Sequence, residues 1–130
     1  MKTGVLVLTH NGTGPALLGT VSHMLGDTTV PAKLLNASAE DDPDQLMARA
    51  EEMIEALDNG HGVLVLTDLG GSTPSNIAAK LARVKNIRIV GGVNIPMLLR
   101  VLNYPDLDLD GLTEKALSGG RDGIYEIKAD

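Results

Sequence analysis

Two residues could carry nucleophilic or acid–base chemistry because of where they stand in the sequence. His10 directly follows the hexapeptide GVLVLT at residues 4–9, and Asp68 directly follows an identical hexapeptide at residues 62–67. A carboxylate that accepts a hydrogen bond from one imidazole nitrogen fixes the tautomer and leaves the other nitrogen free as a nucleophile. The repeat therefore indicates a histidine–aspartate pair, provided that the two hexapeptides lie side by side.

Both residues open loops that are rich in glycine and hydroxyl side chains and that lead into predicted helices. The first loop is residues 10–15 (HNGTGP) and the second is residues 68–74 (DLGGSTP). Exposed amides at a helix N-terminus, with the helix dipole behind them, suit an anion such as a phosphoryl group. A nucleophilic histidine, an aspartate that orients it and loop amides would suffice for phosphoryl transfer, which depends mainly on positioning and electrostatics.

Short apolar runs alternate along the chain with amphipathic stretches, and this alternation predicts the elements that position the site. The predicted strands are residues 4–9, 32–36, 62–67, 87–90 and 123–127, and the predicted helices are residues 15–25, 43–57, 74–84, 96–102 and 112–117. Such an order predicts an α/β fold with a largely parallel sheet and helices on both faces. Ligands of open α/β sheets bind beyond the carboxyl ends of the strands, where His10 and Asp68 would meet.

Length and composition limit the class of protein. The 130 residues favour a single domain, residues 1–130, since a second domain is usually sought only above about 150 residues. A net charge of −6 argues against nucleic-acid binding, which depends on clustered cations. No cysteine is present and only three histidines occur, so we expect no metal site and no cofactor.

The sequence also predicts a cytoplasmic protein that is not integral to a membrane. No apolar run approaches the roughly 18 residues of a spanning helix. The first residues, MKTGV, lead straight into the first predicted strand and lack the layout of a secretory signal.

Structural interpretations compete with the functional one. A single histidine at a strand end is more often a hydrogen-bonded structural group than a nucleophile, and a carboxylate there can simply cap a loop. His23 in the first predicted helix and His61 before the third strand are best interpreted as structural. The functional interpretation of His10 rests on its combination with Asp68 and the two loops. A site that binds an anion without any covalent step remains an alternative.

Three separated motifs resemble the IIA component of the mannose/fructose/sorbose-class bacterial phosphotransferase system (PTS). They are VLVLTHNG at residues 5–12, GVLVLTDLGGSTPSN at residues 62–76 and GGVNIPML at residues 91–98. Two positions depart from the usual pattern of that family. Asn11 stands where a glycine often directly follows the histidine, and Thr73 adds one residue before Pro74.

The resemblance implies a fold and a set of site residues. The family has a three-layer α/β/α open sheet with four parallel strands in the order 2-1-3-4 and a fifth, antiparallel edge strand, here residues 123–127. His10 and Asp68 would be the catalytic residues. The residues implied to bind the phosphoryl group are Thr9, Gly71, Ser72 and Thr73.

The resemblance also implies partners. His10 would accept a phosphoryl group from the phosphocarrier protein HPr and pass it to a separate IIB protein for sugar uptake, which makes the chain a phosphotransferase. Members commonly form homodimers by exchanging the last strand. The alternative within this family is a regulatory IIA module that signals its phosphorylation state to a partner protein without sugar transport.

Overall fold

Four parallel strands form the centre of the structure, a computed structural model that describes residues 2–26 and 30–129. The strands are β1 (Gly4–His10), β2 (Ala32–Ala37), β3 (Val63–Thr67) and β4 (Ile87–Val90). Their spatial order is β2-β1-β3-β4, which confirms the predicted 2-1-3-4 arrangement. The twin hexapeptides are neighbours, paired in register from Gly4 opposite Val63 to Leu8 opposite Thr67.

Five helices cover the two faces of this sheet. They are α1 (Thr13–Leu25), α2 (Pro43–Leu57), α3 (Thr73–Leu81), α4 (Ile95–Leu102) and α5 (Leu109–Asp122). Helices α1, α4 and α5 share one apolar cluster with the sheet, and α2 and α3 share the other. The predicted α/β/α layering is confirmed.

The continuous apolar runs of β1 and β3 follow from this layering. Side chains of a strand alternate between the two faces, so a strand covered on both sides needs apolar residues at every position. In β1, Val5 and Val7 pack in the α1/α4/α5 cluster, whereas Leu6 and Leu8 pack in the α2/α3 cluster. All four are 0% exposed, which explains why the hexapeptide contains no polar residue before its threonine.

Proline and short polar side chains determine where several helices begin. Asn94 caps α4, since its side-chain oxygen accepts the Met97 N–H at 2.9 Å. Asp108 caps α5 in the same way through the Gly111 N–H at 2.8 Å. Such caps satisfy amides that have no partner within the helix. The acidic segment around Asp108 is thereby explained as the start of a helix.

Helix α5 is longer than the sequence predicts. We expected a helix over residues 112–117 that stops at the glycine pair, but α5 runs through Gly119 and Gly120 to Asp122. A Cβ added at Gly119 would lie 2.8 Å from the Arg100 Cβ, and one at Gly120 would lie 2.9 Å from the Met97 Cε. The two glycines therefore allow α5 to approach α4 closely, and they do not end the helix.

The predicted fifth strand is absent from the described part of the chain. Residues 124–129 have no regular secondary structure, and Ile124, Tyr125 and Ile127 are 76%, 72% and 84% exposed. An apolar–polar alternation produces a strand only where an unpaired sheet edge accepts its hydrogen bonds. Within this single chain the segment reaches no such edge.

No helix within residues 2–26 and 30–129 is long and apolar enough to cross a membrane.

Candidate functional site

His10 and Asp68 form a hydrogen-bonded pair at the carboxyl ends of the two central strands. The His10 Nδ1 lies 3.0 Å from both carboxylate oxygens of Asp68. The backbone N–H of His10 also donates to Asp68 Oδ2 at 3.0 Å. The pair forms because β1 and β3 are adjacent and parallel, so that the last residue of β1 and the first residue after β3 lie at the same edge of the sheet.

The electrostatics of the pair favour a charged carboxylate and a reactive Nε2. Burial of Asp68 raises the pKa of its carboxyl. The hydrogen bonds from the His10 backbone N–H and ring, together with the electrostatic attraction of the ring, lower this pKa. The lowering is the larger effect, so the pKa lies below its ordinary value. An ionised carboxylate only accepts, so Nδ1 carries the hydrogen, and in the neutral form of the ring the lone pair is on Nε2. The His10 side chain is 41% exposed and that of Asp68 is 17% exposed, so the ring is accessible and its partner is sheltered.

The backbone after His10 turns sharply at Asn11. Its φ is 45°, in the left-handed region, and its N–H donates to the Ala37 carbonyl at the end of β2 at 2.9 Å. Asparagine is one of the few residues other than glycine that adopts this conformation readily. The departure from glycine at this position therefore preserves the turn.

The buried side chain of Thr9 holds the loop after His10 in place through a hydrogen bond. It is 0% exposed, and its hydroxyl accepts the Gly14 N–H at 2.8 Å in the first turn of α1. A Cβ at Gly14 would lie 2.7 Å from that hydroxyl, so only glycine fits there. The resemblance implies that Thr9 binds the phosphoryl group; in the structure its hydroxyl makes this buried contact with Gly14.

The second loop presents free backbone amides. Gly71 has a φ of 80°, Ser72 precedes the first residue of α3, and Thr73 is that first residue. The Ser72 hydroxyl donates to the Leu69 carbonyl, and the Ser72 N–H donates to Ser75 Oγ at 3.0 Å. The N–H groups of Gly70, Gly71 and Thr73 donate to no acceptor in residues 2–26 and 30–129. Gly70, Gly71 and Thr73 are exposed, so these amides are open to an anion.

Four further residues lie outside this pair of loops. Asn94 uses both ends of its amide, accepting from Met97 N and donating to the Gly120 carbonyl at 3.2 Å, and Met97 is only 4% exposed. His23 lies in the last turn of α1 and His61 just before β3. Among the described residues, no three acidic or histidine side chains cluster closely enough to hold a metal ion.

Thr67, the last residue of β3, lies next to Asp68 and is not among the site residues predicted from the sequence. Its hydroxyl is buried and has no hydrogen-bond partner in the described part of the chain. The repeat itself carried the signal, because Thr67 occupies the position in the second hexapeptide that Thr9 occupies in the first.

A family model described as EIIA-man, PTS system fructose IIA component, matches residues 4–116. The chain belongs to this family. The match spans both loops and all four strands of the EIIA-man chain, which confirms the resemblance inferred from the three motifs.

The chain is similar to part of two longer curated proteins. The chain is 30% identical over 132 residues to the PTS system mannose-specific EIIAB component of Escherichia coli (strain K12), covering 99% of this chain and 41% of that protein. It is 24% identical over 115 residues to the transcriptional regulatory protein LevR of Bacillus subtilis (strain 168), covering 85% of this chain and 12% of the regulator. The chain thus spans less than half the length of either protein.

A solved structure supports the same fold. The mannose/sorbose-specific IIA subunit of the phosphotransferase system from Enterococcus faecalis superposes with a TM-score of 0.89 at 24% identity, covering 100% of this chain and 98% of that subunit. At this level of identity the similarity establishes the shared fold of the EIIA-man chain.

Proposed function

We propose that this EIIA-man chain is a phosphocarrier that accepts a phosphoryl group on His10 from HPr and passes it to a IIB protein or domain in sugar uptake. The observation that carries the proposal is the contact between His10 Nδ1 and the Asp68 carboxylate at 3.0 Å, which leaves Nε2 as the free ring nitrogen. The site would act in the cytoplasm, where the phosphoryl donors of such a system are found.

The chemistry follows from the geometry of the pair. The lone pair of His10 Nε2 attacks phosphorus in line with the phosphorus–nitrogen bond of the donor phosphohistidine. A new bond forms between phosphorus and Nε2 as the old one breaks, and the electron pair returns to the donor imidazole. The hydrogen on His10 Nδ1 stays in place, and the ionised Asp68 stabilises the imidazolium that develops.

The second loop supplies the groups that stabilise the transferred charge. The unengaged N–H groups of Gly71 and Thr73 stand at the N-terminus of α3, where the helix dipole favours an anion. Ser72 contributes through its backbone, which starts the helix, since its hydroxyl is already engaged with Leu69. Thr9 acts indirectly by holding the first turn of α1 through Gly14. Loop amides and a dipole suffice because phosphoryl transfer rests on positioning and electrostatics.

A homodimer built by strand exchange is part of the proposal. The exposed apolar side chains of Ile124, Tyr125 and Ile127 lie in a segment without secondary structure, and β4 is the last strand on its side of the sheet. Pairing of this segment with β4 of a second copy, as a fifth antiparallel strand, would supply hydrogen bonds to both and cover those side chains.

The test is phosphoryl loading by phosphorylated HPr. The chain should take up one phosphoryl group, stable to base and labile to acid, and His10→Ala should take up none. His23→Ala is the matched control, because His23 is an exposed histidine outside the site, and it should load fully. Loading of His10→Ala or an acid-stable product would overturn the proposal, and phosphate that is bound only non-covalently would favour simple anion binding.

A regulatory module is the second candidate, and the match to LevR favours it, because most of this chain aligns with a segment of a transcriptional regulator. The same phosphohistidine would then report phosphorylation state to a partner protein. Incubation of the phosphorylated chain with purified IIB of the mannose class distinguishes the carrier from the regulatory module. A carrier transfers its phosphoryl group to IIB, whereas a regulatory module keeps it.

A further inference from the structure

Thr67 carries a buried hydroxyl that forms no hydrogen bond with any residue that the structure describes. The residue is 0% exposed, and its Oγ1 has no hydrogen-bond partner within residues 2–26 and 30–129. Thr9, at the same place in the twin hexapeptide, is equally buried, but its hydroxyl accepts the Gly14 N–H. A buried hydroxyl without a partner is costly, and native proteins seldom keep one without a reason.

The unused hydroxyl lies beside the loop that would hold the phosphoryl group. A Cβ built on Gly91 would lie 3.6 Å from Thr67 Oγ1 and 3.5 Å from the Gly70 nitrogen. The hydroxyl and the unengaged Gly70 N–H therefore border the same small space, left open because residue 91 has no side chain. The Thr67 carbonyl accepts the Val93 N–H at 2.9 Å. This hydrogen bond holds the backbone of Thr67 in place beside the space.

We propose that Thr67 is a positioning residue for phosphoryl transfer: in the phosphorylated protein its hydroxyl accepts the Gly70 N–H across the open side of Gly91. This inference rests on the proposed function. The Gly71 and Thr73 amides are attracted to a phosphoryl group on His10, and this attraction shifts residues 70–72. The shift brings the Gly70 N–H within hydrogen-bonding distance of the Thr67 hydroxyl oxygen. The loop then has one defined conformation, which aims its remaining amides at the phosphoryl oxygens.

Three variants test the contact from different sides. Thr67→Val removes the hydroxyl and keeps the shape of the side chain. Gly91→Ala adds a methyl group 3.5 Å from the Gly70 nitrogen and 3.6 Å from Thr67 Oγ1, an ordinary contact distance, and should hinder any closer approach of the two groups. Thr67→Ser keeps the hydroxyl and should behave like the wild type. Since the same contact is lost each way, Thr67→Val combined with Gly91→Ala should do no more than either change alone.

The measurement is amide hydrogen exchange of Gly70 by NMR, before and after phosphorylation of His10 with potassium phosphoramidate, which needs no partner protein. In the wild type, exchange should slow about three- to ten-fold on phosphorylation, as one new hydrogen bond implies. In Thr67→Val and Gly91→Ala this slowing should be lost, while the unphosphorylated melting temperature stays the same or rises. A purely structural role would affect both states equally.

The outcomes separate this inference from the proposed function. If the wild type is phosphorylated on His10 but Gly70 exchange is unchanged, or slows equally in Thr67→Val, the role of Thr67 is wrong and the carrier function stands. If neither phosphoramidate nor phosphorylated HPr loads His10 in the wild type, the carrier function fails, and this inference fails with it. Should Thr67→Val not fold, Gly91→Ala alone decides the question.

Discussion

Asp68 accepts two hydrogen bonds from His10, one from the backbone N–H and one from the ring Nδ1. The backbone bond fixes where the carboxylate lies relative to β1, and the ring bond fixes how the imidazole is turned. One side chain thus positions the nucleophile in both respects, so the orientation of His10 depends on a residue that follows a different strand.

Loss of the Asp68 carboxylate should slow phosphoryl transfer strongly. In Asp68→Ala, the imidazole loses its orientation and the stabilisation of its charged form, so we expect the rate of loading from phosphorylated HPr to fall at least about ten-fold. Rapid-quench measurement of loading checks this. Asp106→Ala is the control, because Asp106 is 89% exposed and pairs only with Lys2 at the surface, and it should load at the wild-type rate. An unchanged rate in Asp68→Ala would mean that this carboxylate is only structural.

The stability of the protein should depend on pH through Asp68. Its pKa in the folded protein lies below the ordinary value of 3.8, so the group contributes stability that is fully present above pH 3.8 and is lost as the pH falls through the folded-state value. The difference in unfolding free energy between wild type and Asp68→Asn should therefore shrink as the pH falls below about pH 4. Urea unfolding from pH 7 to pH 3 measures it. A difference that grew on acidification would contradict the assigned direction of the pKa.

The turn at Asn11 should tolerate glycine and resist alanine. With φ at 45°, a residue with an ordinary side chain is strained, so Asn11→Ala should lower the free energy of unfolding by about 1 kcal/mol. Asn11→Gly should leave it within about 0.5 kcal/mol of the wild type, since glycine adopts this conformation freely. Chemical unfolding measures both variants. Equal stability of the two would show that the turn relaxes to a different conformation.

Removal of the last seven residues, 124–130, should abolish dimer formation if the exchanged strand is the interface. The deletion removes the exposed side chains of Ile124, Tyr125 and Ile127, and it leaves β4 of the second copy without a segment to pair with. Sedimentation equilibrium should give a dimer for the full chain and a monomer for the shortened one. The double variant Ile124→Asp with Ile127→Asp keeps the chain length and should weaken association in the same direction. A shortened chain that still dimerises would place the interface elsewhere.

The sequence by itself determined much of the fold and the residues of the central pair. Two identical apolar hexapeptides specify strands that must be covered on both faces, and such strands lie side by side in the middle of a parallel sheet. Prolines and polar caps such as Asn94 place helix starts within one or two residues. Because these signals are local, they can be obtained without knowledge of the partner surfaces.

Tertiary structure alone decided the features that depend on distant neighbours. Gly119 and Gly120 look like a helix end, but close packing of α5 on α4 makes them part of the helix. The threonines of the twin hexapeptides look equivalent, yet the Thr9 hydroxyl accepts the Gly14 N–H, whereas the Thr67 hydroxyl has no partner among the residues that the structure describes. Residues 124–127 have the sequence pattern of a strand, but in the single chain they pair with no sheet edge and so form no strand. Each of these outcomes depends on which surface comes to lie opposite, and that is set only when the whole chain has packed.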